Sequence, residues 1–176
     1  VCYGLPIAGL VLLMRRRKGA GKAFLWGAAA FVVSQLLIRI PILQLVLPNF
    51  GWFAVMQRFP WMYGLFLGLT AGLAEETGRW IVARCFLKGK DTLAHGLAFG
   101  LGHGGIEAML LVGPNMIAGA VMVLSGQAAL FPAEWAGVLV GGAERIFAMA
   151  FHVGASLLVL YGVRQGKAFR YWALAV

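Results

Sequence analysis

The stretch that decides the fold is PWMYGLFLGLTAGLAEETGRWIVARCFL, running from Pro60 to Leu87. At ~1.5 Å rise per residue, such a run crosses a bilayer core of ~30 Å. Near its middle stand Glu75, Glu76 and Arg79, at a depth where charge is expensive. Such groups persist where they face a protein interior or a wet cavity and have partners. On a helix Glu75 and Arg79 are four apart and Glu76 and Arg79 three apart, so the Arg reaches both acids. Gly64, Gly68 and Gly72 lead up to Glu76 at the same four-residue step, which predicts a groove for a neighbouring helix. Taken alone, the charges also read as a self-satisfied ion pair that locks helix packing. The rest of the chain has to decide.

Composition places the chain in a membrane. Hydrophobic residues make up 61% and charged residues 12%, well below the quarter or so typical of soluble domains. The mean hydropathy is +0.85. The net charge of +9 does not indicate nucleic acid, because the Lys and Arg residues sit in short clusters between apolar runs. The positive-inside rule puts them there. Cys2 and Cys85 show no metal-ligand or disulfide spacing. The chain reads as one membrane-embedded unit over 1–176, an all-α polytopic bundle of about five to six membrane segments. It starts at Val1, and 170–176 looks like the opening of another span, so a piece of a longer protein is expected.

Residues 1–14 are apolar but short, and a basic cluster follows them instead of preceding them, which does not suit a signal peptide. Arg15, Arg16, Arg17, Lys18 and Lys22 predict a cytoplasmic loop over 15–22. The second span covers Ala23 to Leu47. Pro41 should kink or end it, and Arg39 is expected to snorkel to the outer interface. Residues 48–59 form an aromatic, turn-rich interfacial link. Arg84, Lys88 and Lys90 mark a second cytoplasmic loop over 84–91, and Asp91-Thr92 predicts a cap for a helix over 93–112. On that helix His95, Phe99, His103 and Glu107 form one stripe, with His95 solvated at the cytoplasmic end. Gly96, Gly100, Gly104 and Ala108 form a close-packing stripe beside it. Gly113-Pro114-Asn115 should break the helix, leaving 116–124 as a re-entrant or outer-surface segment, or else joined to 128–131 in a longer, tilted span. The last span, 134–163, carries Glu144, Ala148, His152 and Ser156 at four-residue steps, with Arg145 adjacent. The chain after Arg164 returns to the cytoplasm. Three helices thus bring Glu75/Glu76, His103 and His152 to a similar depth, which points to one shared site.

Glu75-Glu76-x-x-Arg79, Phe99-x-x-x-His103 and His152-x-x-x-Ser156 resemble the three motifs of the glutamate-dependent intramembrane proteases. That group includes the type II CAAX prenyl endopeptidases. The strings around Glu75, around His103 to Glu107 and around Glu144-Arg145, together with Arg39-Ile40-Pro41, look most like the bacterial YhfC branch. Two departures stand out. The CAAX enzymes have three residues between the Glu pair and Arg, and Asn four residues after the last His, where this chain has two residues and Ser156.

The resemblance implies a peptidase of the bacterial cytoplasmic membrane acting on a membrane protein or peptide. Glu75 would be the general base and His103 its partner, with His152 and Ser156 steadying the oxyanion. Glu76 and Arg79 would orient Glu75, Glu107 would fix the His103 tautomer, and Glu144 and Arg145 belong to the supporting set. Glu75, His103 and His152 also form a credible three-ligand zinc set, and the sequence leaves metal-dependent and metal-free chemistry both open. Two other classes compete. A proton-coupled transporter would use the same intramembrane acids and imidazoles, although the spans show no internal repeat. A catalytically inactive membrane binding protein would keep them without turnover.

Overall fold

The computed structural model describes residues 1–87, 89, 92–127, 135–167, 169, 171 and 172. The expectations placed on Lys88, Lys90, Asp91, 128–131, Glu134, Arg170 and 173–176 lie outside these residues. Those described form helices and no strand. Helix α1 covers Gly4–Arg16, and α2 covers Ala20–Phe31. The α2 helix continues through wide π-turns, Val32–Arg39 and Ile42–Val46, into a short 3-10 turn at Leu47–Asn49. Helix α3 is Gly51–Met56, and α4 is Pro60–Phe86. Helix α5, Leu93–Glu107, passes through a π-turn at Ala108–Val112 into α6, Gly113–Leu124. Helix α7 is Trp135–Arg164.

Among the described residues three stretches are long and apolar enough to cross a membrane: Ala20–Asn49, Leu93–Leu124 and Gly137–Arg164. Helix α4, with 27 residues, has the length as well, about 40 Å, while its charges make it less apolar. The chain is therefore an all-α, polytopic membrane bundle. Helix α4 shows the burial pattern of such a protein. Leu65, Leu69 and Leu73 are at least half exposed, whereas Glu76 and Arg79 are 1% and 0% exposed. Apolar side chains face out and charges face in, as a lipid solvent requires.

Helix α5 lies at the centre, packed on α1, α2 and α7. Its small residues permit this. A Cβ on Gly27 would strike the Phe99 carbonyl, and one on Gly102 would strike the Phe24 carbonyl, so α2 and α5 touch backbone to backbone. On its other side Gly100 and Gly104 admit Val153 and His152 of α7, as the small-residue stripe predicts.

Two expectations are corrected. Gly64 and Gly68 have nothing within 4 Å of a would-be Cβ among the described residues, so no described helix enters the groove at those two positions. Helix α4 is approached at Gly78 instead, by Ser34 and the Ala30 carbonyl. Nor does Gly113-Pro114-Asn115 break the chain, since 93–124 is one continuous helical run. The π-turn explains why. The Gly113 N–H already bonds the Ala108 carbonyl, five residues back. In that register Met109 would look to the N–H that Pro114 lacks, and the Tyr3 hydroxyl donates to the Met109 carbonyl instead, at 3.0 Å. Residues 116–124 thus continue the helix that carries His103.

Candidate active site

Glu75 on α4, His103 on α5 and His152 on α7 converge, each offering a ligand atom within 4.8 Å of the others. Glu75 Oε2 lies 3.3 Å from His103 Nε2 and 3.6 Å from His152 Nδ1. Arg79 donates to the same oxygen at 3.2 Å and also pairs with Glu76, as the i, i+3 and i, i+4 spacings predict. The His103 and His152 rings are 5.1 Å apart, and Phe31 meets His103 edge-on.

The state of His152 follows from its neighbours. Arg79 NH2 contacts His152 Nδ1, and a guanidinium can only donate. Nδ1 therefore presents its lone pair, and the proton sits on Nε2, which faces Glu107 Oε2 at 2.6 Å. Arg145 holds the other Glu107 oxygen at 2.8 Å and pairs with Glu144 as well. This revises the role expected of Glu107. It addresses His152 across the helix interface and not His103 on its own helix. The Nδ1 of His103 is buried with no partner among the described residues.

Other expected supporting residues fall differently. Ser156 is fully buried against Gly100, and its Oγ has no hydrogen-bond partner among the described residues, so it does not engage His152. Glu144 is exposed and, among the described residues, reaches the site through Arg145. Arg39 does not snorkel. It turns onto α4, donating to the Leu67 carbonyl at 2.6 Å and to Thr70 Oγ1 at 3.2 Å. His95 is buried, not solvated, between Thr92 Oγ1 at 2.9 Å and the Lys18 carbonyl at 3.2 Å. Thr92 thereby gives its side chain to His95 and leaves the helix end uncapped by it.

Sequence reasoning missed Gln35. Its Nε2 donates to Glu75 Oε1 at 2.5 Å, and its Oε1 accepts from Arg39 at 3.0 Å. The one signal for it was a Gln four residues before an Arg inside an apolar span. An apolar cleft of about 830 Å³, lined by Trp26, Arg39, Trp52, Phe66 and Thr70 among others, opens between the second span and α4. A second cleft of about 550 Å³ runs along α7 from Val140 to His152.

One carboxylate and two imidazoles are a donor set suited to a divalent metal, and Glu107 behind His152 is the kind of partner that orients a ligating His. The residues fit such an ion, with the Arg79 guanidinium as the cation that occupies the same corner. The family model described as YhfC intramembrane metalloprotease matches residues 2–176. The chain belongs to that family. It is 36% identical over 192 residues to the "Uncharacterized membrane protein YhfC" of Bacillus subtilis (strain 168), covering 95% of this chain and 73% of the relative. No solved structure matches it. The family's name makes a peptidase activity and a bound metal the leading expectation, and the relative's name adds no activity.

Proposed function

We propose that the protein is an intramembrane endopeptidase that hydrolyses a peptide bond of a membrane protein or peptide. The observation that carries this reading is Glu75 Oε2 facing two imidazoles inside an apolar bundle. The corner between a carboxylate and a neighbouring imidazole is where an attacking water can be activated. Glu75 Oε2 takes the proton as the water oxygen adds to the carbonyl carbon, and the His103 Nε2–H, 3.3 Å from that oxygen, donates to the carboxylate and steadies it. The proton then goes to the amide nitrogen as the C–N bond breaks, leaving a carboxylic acid and an amine.

The oxyanion needs a donor. His152 does not supply it, because its one N–H faces Glu107. Arg79, whose Nε–H is buried without a partner among the described residues, is the donor we assign to that role. Glu107 and Arg145 hold the His152 ring in place. The cleft along α7 gives a membrane-embedded substrate a path to His152.

Glu75, His103 and His152 would hold the metal, and zinc suits that set. When bound it would supply a Lewis acid for the water and the carbonyl, with Glu75 then a ligand in place of the free base.

The test is cleavage of candidate membrane substrates by full-length protein in liposomes, with and without a membrane-permeant chelator. Cleavage that chelation abolishes and Zn²⁺ restores is expected. Glu75-dependent proton flux without any cleavage would overturn the reading in favour of a proton carrier.

A further inference from the structure

We propose that Gln35, held by Arg39, is a positioning residue that pins one oxygen of Glu75 so that only Oε2 is presented to His103 and His152. This rests on the reaction assigned above but concerns a residue outside its motifs.

The orientation of the Gln35 amide is fixed by its neighbours. Arg39 can only donate and the Glu75 carboxylate, ionised beside Arg79, accepts, so Oε1 must face the Arg and Nε2 the Glu. Reversing the amide would set oxygen against oxygen and N–H against N–H. Arg39 is in turn tied to α4 through Thr70 Oγ1 and the Leu67 carbonyl. Three acceptors in one fork leave it little freedom. Charge-assisted bonds at both ends of the amide make the chain Arg39–Gln35–Glu75 stiffer than one neutral bond.

Local backbone geometry supports this. Val32–Arg39 is a π-turn, and Ile40 N–H bonds the Gln35 carbonyl, five residues back. Gln35 itself is only 4% exposed, and Ser34 beside it bonds its own helix at Ala30. A free carboxylate rotates about its last bond and can offer either oxygen. With Oε1 held from the α2 side, Oε2 is left facing α5 and α7, where His103 and His152 lie. Such outer partners of a ligand or base typically govern about 10–100-fold in metal affinity or activity.

The test uses full-length wild type, Gln35→Leu, Arg39→Met and Arg39→Lys in lipid nanodiscs, with Co²⁺ as the metal probe. The Glu75 carboxylate band is isolated as the infrared difference between wild type and Glu75→Gln. Gln35→Leu and Arg39→Met should both shift that band, and Gln35→Leu should weaken Co²⁺ binding about tenfold or more. With a cleavable substrate, kcat should fall by a similar factor while KM stays near wild type. If Gln35→Leu does not fold, Arg39→Lys, which keeps the charge but loses the fork, should still move the band, by less. A wild-type band and wild-type Co²⁺ affinity in the folded variants would overturn the proposal. A Glu75→Gln protein that still cleaves would overturn the assigned reaction instead, and the band would still decide Gln35.

Discussion

Glu75 meets Gln35 through one carboxylate oxygen and Arg79, His103 and His152 through the other. Glu75→Gln keeps the size and most of the contacts but removes the proton acceptor. Cleavage should fall by the ~10²–10⁴-fold typical of general-base loss. Glu107→Gln should do less harm, since Glu107 only steadies the His152 ring, and the loss should appear in kcat. Ser156→Ala should leave both cleavage and thermal stability close to wild type. Its hydroxyl is buried without a partner among the described residues, so deleting it removes a group that already gains nothing. The meeting of Glu75, His103 and His152 was legible in the sequence, because ionisable groups at one depth on three apolar runs are costly unless they face one another. Ser156 and Glu144 misled for a geometric reason. Each four-residue step turns ~40° past a full circle and rises ~6 Å on a 3.6-residue helix, so Glu144, two steps before His152, lies ~80° round and ~12 Å along, and Ser156, one step after it, ~40° round and ~6 Å along. The stripe therefore drifts off the site on both sides of His152. Gln35 stayed hidden because an amide has no charge to flag it and it sits on another helix.

Helix α5 works as a spacer between α2 and α7, and its glycines set the distance at which His103 meets its partners. Gly102→Ala would drive a methyl into the Phe24 carbonyl, against backbone that cannot rotate aside. It should lower the unfolding temperature in detergent markedly and separate the α2–α5 pair. Gly64→Ala meets nothing within 4 Å among the described residues and should be neutral or stabilising, by up to ~1 kcal/mol from helix propensity. The two substitutions are chemically identical, so unequal melting curves would report packing alone. The sequence announced the close-packing stripe on α5 but placed a second one on α4, where Gly64 and Gly68 meet nothing among the described residues. A ~120° drift over the three steps from Gly64 to Glu76 accounts for that, because residues leading up to a buried Glu need not share its face. The π-turn at Ala108–Val112 was not legible either. Pro114 looks like a stop until Tyr3, distant in sequence, supplies the hydrogen bond that Pro removes.

At the scale of the whole molecule, the described members of the basic clusters, Arg15 to Lys22, Arg84 and Arg164, share one end of the bundle. His95 at the start of α5 bonds the Lys18 carbonyl, tying the α1–α2 turn to the α4–α5 turn. Leu87, just past the end of α4, is buried in one apolar cluster with Ala20 and Ala23 at the start of α2, and Trp26, midway along α2, stacks on Phe86. Gly96 packs on Leu157 and Leu160, so the C-terminal part of α7, which ends at Arg164, lies at that end too. That common end was expected from charge alone, and the contacts explain how the chain builds it. Which side of the membrane it faces is a separate matter, for which we propose the cytoplasm, because short loops rich in Lys and Arg resist export. Lys18→Cys in a background with Cys2 and Cys85 replaced should resist an impermeant maleimide applied to intact cells and react once the membrane is opened. A Cys placed at Trp52, on the half-exposed α3 segment beyond the opposite end of α4, should give the reverse pattern. Labelling of position 18 from outside would invert the topology and place the α1–α2 and α4–α5 turns on the outer face.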